Sequence, residues 1–356
     1  MTLLLMKSLF ENSNEAGRES GWATSTLDTY ISEVFQDTHF SYDAVGNITR
    51  IVDSSDTDAA RTAVYAYDDL YRLTIASTTA ASSTPYRHGF AYDAIGNFTG
   101  MSTSLVATST YAYSGTGKAN PHAATTINGV TNTYDDNGNL TNDGVRSYTW
   151  NYDNTLASLA TSAYAYDHDK QRVTMYDGSA TSTYPNRYFS KTGATSTRYI
   201  FAGGEVVATI TASGTATTTS YVHADHLGST QVTSNASSTQ NQAIDYYPYG
   251  EKRITSGSDV SSREYIGEHF DEETDLSYLN ARYYDPVDGR FLSQDPIHQL
   301  MGDSKHIAKR NSQDMQKILQ DPQMLNSYSY GRNNPIRYSD QDQSLTVSGT
   351  VSAAAV

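Results

Sequence analysis

Six strings in the first half of the chain share one grammar, and that repetition limits the possible folds more than any other feature. They are SYDAVGNITR (Ser41 to Arg50), YAYDDLYRLT (Tyr65 to Thr74), AYDAIGNFTG (Ala91 to Gly100), TYDDNGNLTND (Thr133 to Asp143), WNYDNTLASL (Trp150 to Leu159) and YAYDHDKQRV (Tyr164 to Val173). In each, an aromatic residue precedes Asp, a turn follows, and a residue such as Asn or Arg leads into an apolar one. Tyr42 to Tyr67 and Tyr67 to Tyr92 are each 25 residues, whereas Tyr134 to Tyr152 is 18 and Tyr152 to Tyr166 is 14. Such a unit is one β-hairpin with its connection, too small to bury a core alone. It is stable only when neighbouring copies cover its apolar face.

Within each copy the residues read as strand, turn, strand. The alternation Tyr65-Ala66-Tyr67 puts both rings on one face of a strand. Asp at the strand end can bond its own downstream backbone in an Asx-turn. Gly46-Asn47, Gly96-Asn97 and Gly138-Asn139 supply residues that tolerate positive φ, and Ile48, Phe98 and Leu140 start the returning strands. With 29 Tyr against 9 Phe and 2 Trp, the aromatic surface is mostly phenol. A phenol buries its ring while its hydroxyl keeps a polar contact, which suits thin sheets with one wet face. The expected fold is all-β, a curling strip of antiparallel hairpins with a short helical insertion near the C-terminus.

Composition also excludes. A net charge of −15 without any basic run argues against nucleic acid, whose phosphates require clustered Lys and Arg. With Cys 0, disulfides and Cys-based zinc sites are impossible. No stretch approaches the roughly 20 apolar residues of a membrane-spanning helix. The opening MTLLLMKSLFENSNE is interrupted by Lys7 and reads as a ragged start rather than a signal peptide.

At these residues the chain resembles the Rhs/YD-repeat family, from about Phe40 to Asp340. Longer strings carry the resemblance further: YIFAGGEVVATI (Tyr199 to Ile210), YVHADHLGST (Tyr221 to Thr230), DYYPYGE (Asp245 to Glu251) and YIGEHFDEETDLSYLNARYYDPVDGRFLSQDP (Tyr265 to Pro296). The last is similar to the family's core-domain signature. The resemblance implies a hollow shell of spiralling hairpins around a C-terminal polypeptide, commonly a toxin, with the core-associated region folded inward as a plug. In several members that region also cuts the chain just after itself, by aspartic-protease-like chemistry.

The resemblance maps that chemistry onto Arg282, Asp295 and Asp340. Two close carboxylates raise one another's pKa, so that one stays protonated while the other activates water. Arg282 would orient the pair or stabilise an oxyanion. This chain departs from the pattern: Gln341, not Pro, follows Asp340, and Asp340 lies 45 residues beyond Asp295, His298 to Leu325 being the added length. The residues leave a bland reading open, in which Asp295 caps an Asp-Pro turn and Asp340 ends the core. Within the insertion, Asn311 or Ser312 would cap a helix, Met315, Ile318 and Leu319 would form its apolar stripe, and Pro322 would stop it. His223, Asp225 and His226 read as structure rather than as a metal site, and Asp271, Glu272, Glu273 and Asp275 as a solvated turn. No cofactor is expected.

The expected organisation is an ill-defined segment 1–38, a repeat strip 39–260, a core or plug 261–340 and a disordered tail 341–356. With only 16 residues after Asp340, no effector domain is recognisable. The leading functional expectation is a non-enzymatic encapsulation scaffold, secreted or at the cell surface. Its partners would be a cargo or toxin polypeptide or an upstream shell segment. The alternatives are a self-cleaving core and a cell-surface carbohydrate-binding or adhesion module.

Overall fold

The computed structural model describes residues 34–55, 61–79, 82, 84–103, 106–113, 120–259, 261–296, 298 and 321–340. Among them the chain is an antiparallel meander in which, within each of four sheets, each strand pairs with the next. A nine-stranded sheet runs from β1 (Thr38–Tyr42) to β9 (Val130–Thr131), and a two-stranded one joins β10 (Thr133–Tyr134) to β11 (Leu140–Asn142). A twelve-stranded sheet runs from β12 (Tyr148–Trp150) to β23 (Lys252–Gly257). A last sheet holds β24 (His269–Asp271), β25 (Leu276–Leu279), β26 (Arg282–Asp285) and β27 (Arg290–Phe291).

One five-residue turn closes hairpin after hairpin. In Asp43–Asn47 the Asp43 N–H donates to the Asn47 carbonyl, and the Gly46 N–H donates to the Asp43 carbonyl. The same pair of bonds closes Asp68–Arg72, Asp93–Asn97, Asp135–Asn139, Asn151–Thr155, Asp167–Gln171, Asp225–Ser229, Asn235–Thr239 and Tyr247–Glu251. The expected Asx bonds are present: Asp43 Oδ1 accepts from the N–H groups of Val45 and Asn47. Gly46 has the positive φ, at 85°. Asn47 has a different task, its side-chain amide donating back to Asp43 Oδ2. The carboxyl of Asp43 is pushed up by burial, but these hydrogen bonds outweigh that and hold it below the usual range.

The register breaks at the aromatic residue entering the turn: at Tyr42, Tyr67, Tyr92, Tyr134, Trp150, Tyr166 and Tyr246. A bulge bends its strand and adds twist, and repeating it along one rim makes the strip curl. Five of these aromatics, Tyr67, Tyr92, Trp150, Tyr166 and Tyr246, also reach back one repeat. Tyr67 Oη donates to the Ile48 carbonyl (2.6 Å), Tyr92 Oη to Leu73 (2.7 Å) and Tyr166 Oη to Leu156 (2.9 Å), while Trp150 Nε1 donates to Leu140 (2.7 Å). The polar end of the aromatic thus staples its hairpin to the start of the previous returning strand. The staple corrects the sequence register of the fifth copy. Trp150 and Asn151, not Tyr152 and Asp153, fill the aromatic and Asp positions, and Tyr152 is 97% exposed. Measured on Trp150, the steps from Tyr134 and to Tyr166 are both 16 residues.

The strip curls around the last sheet. Alternation along β26 turns Tyr283 and Tyr284 to opposite faces, and both are buried. Tyr284 joins a cluster with Ile48, Leu73, Phe90, Phe98 and Tyr249, whereas Tyr283 joins one with Leu140, Leu156, Leu159, Tyr164 and Met175. All four residues of β25 and all four of β26 are buried. The sheet β24–β27 is therefore walled on both sides by the strip.

The chain beyond this sheet adds one short helix, which Pro322 opens: α1 (Pro322–Leu325) is a single turn whose cap, Asp321, accepts from the Gln323 N–H. Proline fits a first helical position because that N–H has no intrahelical partner. Asn311, Ser312, Met315, Ile318 and Leu319 lie outside the described residues, as do 1–33 and 341–356.

Candidate functional site

Arg282 and Asp295 come from the two ends of the buried sheet's last hairpin, and Asp340 from the chain that returns to it. The structure brings the three together. Arg282 Nη2 lies 3.3 Å from Asp295 Oδ2 and 3.1 Å from Asp340 Oδ2, so one guanidinium nitrogen bridges both carboxylates. Arg282 Nη1 donates to the Ser327 carbonyl at 3.2 Å, and its Cζ sits 3.5 Å from the centre of the Phe291 ring. A guanidinium held over an aromatic face and out of water is oriented and cannot lose its charge. The Asp295 N–H donates to the Ser327 carbonyl (2.9 Å), tying the two chain segments together beside the carboxylate.

His298 completes this corner, and the sequence reading had passed over it. Its N–H donates to the Asp295 carbonyl (2.9 Å), and its Nε2 lies 3.1 Å from the Leu325 carbonyl. A carbonyl only accepts, so the proton sits on Nε2. Burial, aided by the nearby Arg282, pushes the imidazole pKa down against the pull of Asp295.

The chemistry of this arrangement depends on where protons sit. A cation between two carboxylates favours both in ionised form, whereas acid–base work on an amide needs one of them protonated. Arg282 holds both carboxylates through one nitrogen. Cutting chemistry requires it to give up one carboxylate, and its freed N–H groups then become donors for an oxyanion.

Other ionisable residues hold the last sheet against the strip. Arg172 from the strip meets Asp271 at 2.5 Å, with side chains 1% and 3% exposed, between the rings of Tyr184 and Tyr278. Asp271 therefore leaves the solvated turn that its sequence suggested; only Glu272, Glu273 and Asp275 of that run are exposed. Arg146 meets Asp285 at 2.7 Å. Asp288 is raised to about 7, by burial first and then by Asp285. His223 Nε2 faces Ser234 Oγ (2.9 Å) and His226 Nε2 the Ile336 carbonyl (2.7 Å), while Asp225 Oδ1 accepts from its own turn.

The match to known proteins runs through the same elements. The family model described as Teneurin YD-shell covers residues 32–336, from the first hairpin to the chain beside Asp340. The chain belongs to that family. This YD-shell chain is 28% identical over 242 residues to the tRNA nuclease WapA of Bacillus subtilis (strain 168), covering 61% of this chain and 9% of WapA. It is 38% identical over 87 residues to salivary gland surface protein 1 of Aedes aegypti, 24% of this chain and 3% of that protein. Among solved structures it matches TcdB2-TccC3-Cdc42 with a TM-score of 0.66 at 20% identity, over 87% of this chain and 17% of that one. It also matches the Photorhabdus luminescens Tc holotoxin pore (TM-score 0.63, 19% identity, 93% and 17%). These neighbours share the fold, and the YD-shell chain spans under a fifth of their length.

Proposed function

We propose that this YD-shell chain is the plug-bearing part of a shell that encloses a polypeptide cargo, acting outside the cell or at its surface in a toxin system. In this reading 39–260 are wall and 261–340 plug. The observation that carries it is the sheet β24–β27, buried except at Phe270 and clasped on both faces by the strip. A sheet fixed to the concave side of a wall shapes an interior, not an outer binding face. The likeness to a tRNA nuclease and to Tc toxin components supports a toxin context. The test is affinity purification of the tagged chain from cells that make it naturally. Recovery of a cargo polypeptide, or of a segment with further repeats, is the expected result. Sedimentation of the chain alone at its own mass removes the reading.

A second reading is favoured by the Arg282 bridge: self-cleavage at a bond within 341–356. One carboxylate takes a proton from water as its oxygen attacks the amide carbonyl, and the other, protonated, gives its proton to the leaving nitrogen. Intact mass of purified protein reads this directly. A loss of about a dozen residues that Asp295→Asn abolishes supports the reading; the full-length mass in both proteins defeats it.

A further inference from the structure

The segment that delivers Asp340 does not lie loosely over the strip. From Tyr328 to Arg337 it meets the repeat turns one after another, in reverse chain order. Arg337 Nη1 donates to the Val45 carbonyl (3.0 Å) and Asn47 Oδ1 (3.3 Å) of the first turn. Asn334 Nδ2 donates to Asn47 Oδ1 (3.1 Å) and to the Tyr71 carbonyl (2.9 Å) of the second. Asn333 Nδ2 and Asn326 Nδ2 both donate to the Gly96 carbonyl of the third (2.9 and 2.8 Å). Tyr328 Oη donates to the Gly138 carbonyl of the fourth (2.6 Å).

The motif makes this possible. Neighbouring turns on one rim stand two strands apart, about 10 Å, so the repeat offers outward carbonyls at a fixed interval. The turn glycine also clears the way. A Cβ at Gly96 would come within 2.9 Å of Gln323 Oε1, and one at Gly138 within 2.8 Å of Tyr328 Oη. Asn326, Asn333 and Asn334 are each at most 5% exposed, so a slip of one turn would strand buried amides and carbonyls, at about 1–3 kcal/mol per group.

We infer that Asn326, Tyr328, Asn333, Asn334 and Arg337 are positioning residues that read the first four repeat turns, so that Asp340 reaches Arg282 only when those repeats are folded and in register. The segment is then a checkpoint: the carboxylate pair assembles on a completed wall and not before. Its consequence for cutting rests on the self-cleavage reading; the reading of the turns does not.

The test uses the full chain and two readouts, intact-mass time courses and peptide-level hydrogen exchange. Asn334→Asp keeps the shape and removes the amide donor; Arg337→Ala removes the contact with the first turn and the guanidinium over the Tyr338 ring, and is the milder variant. Both are expected to raise exchange across 326–340, about tenfold or more for Asn334→Asp, and to slow any self-cleavage in proportion. Asp43→Ala, in a turn that the segment reads, is expected to do the same from nearly 300 residues away. Asn235→Ala disrupts a turn with the same hydrogen bonds that takes none from the segment among the described residues, and is expected to leave 326–340 unchanged. Equal effects of Asp43→Ala and Asn235→Ala, or unchanged exchange in Asn334→Asp, overturn the inference. If the unmodified chain is never cut, the cleavage reading fails alone, and exchange still decides this one.

Discussion

The two long sheets are built from the same hairpin, yet they hold the last sheet and the chain behind it with a different balance of contacts. Around the first arm, β1–β9, and the adjoining β10–β11 turn, turn carbonyls take Asn, Tyr and Arg side chains as donors. The second arm, β12–β23, and the chain just before it also offer turn carbonyls, Pro248 to Tyr265 Oη and Tyr249 to Tyr284 Oη, but add charge pairs: Arg172 with Asp271, Arg146 with Asp285, Lys252 with Glu264 and Glu272. The difference follows from which part of the hairpin is presented. A turn offers backbone oxygens wherever the motif recurs, so neutral donors at the right interval suffice. A strand face offers only side chains, and an ion pair in a dry interface fixes register because a displaced partner is left as an uncompensated charge.

The sharpest way to break this comparison is at Arg172. Arg172→Ala leaves Asp271 buried without its cation, and the expected loss is about 3–5 kcal/mol in denaturant unfolding. The double change Arg172→Met with Asp271→Leu is expected to recover most of it, because an apolar pair of similar volume removes the orphaned charge. A loss under about 1 kcal/mol for the single variant, the level of an exposed pair, would mean that charge does not anchor the second arm.

Acid should act in opposite senses on the buried histidines of the first arm and the buried carboxyls of the second. Burial, with Arg290 and His298 nearby, drops His122 to about 4, and burial, with Arg253, does the same to His88. The unfolded chain then takes up these protons first, so stability present above pH 6.5 is lost as pH falls from about 6.5 to 4. Glu264, beside β23, is raised to about 7 and Asp245, in the preceding strand, to about 6, burial being the main cause in both. Here the folded chain takes up the proton first, so stability is gained as pH falls from about 7 towards 4.5. Unfolding free energies of His122→Gln and Glu264→Gln, each subtracted from the parent across pH 4–8, are expected to slope in opposite directions. Slopes of the same sign would dissolve the contrast.

What the residues disclosed follows the same division. The hairpins and their Asx turns are local, set by neighbours in sequence, and strings such as SYDAVGNITR spell them out. The staples from Tyr67, Tyr92 and Tyr166 were half visible: phenol over phenylalanine signals a hydroxyl with a task, but the receiving carbonyl lies one repeat away and has no sequence mark. The fifth copy was misaligned because Tyr152-Asp153 satisfies the same letters as Trp150-Asn151, and only packing tells them apart. Arg282, Asp295 and Asp340 were found through a family resemblance, not through spacing. The pairing of Arg172 with Asp271 and the donors Asn333, Asn334 and Arg337 were illegible, because each depends on which rim or face a segment some 100 to 290 residues away will present.

Smaller effects sharpen the shared part of the two arms. Since the staple is common to both, Tyr67→Phe in the first and Tyr166→Phe in the second are each expected to cost about 1 kcal/mol, the net worth of one hydrogen bond; a clear inequality would show that one arm relies on it more. The smallest change should run the other way. In the second turn Tyr71 occupies the position that glycine fills in the first, third and fourth, at φ 62°, and its side chain is 50% exposed. A left-handed conformation costs a residue with a Cβ roughly 1–2 kcal/mol, and glycine gives part of that back as greater freedom in the unfolded chain. Tyr71→Gly is therefore expected to stabilise the chain by up to about 1 kcal/mol in thermal or denaturant unfolding. It keeps the carbonyl that Asn334 reads, so exchange across 326–340 should not rise. If Tyr71→Gly loosens that segment instead, the half-exposed ring rather than the turn carbonyl is what holds the chain there, and the first arm grips by packing as much as by backbone.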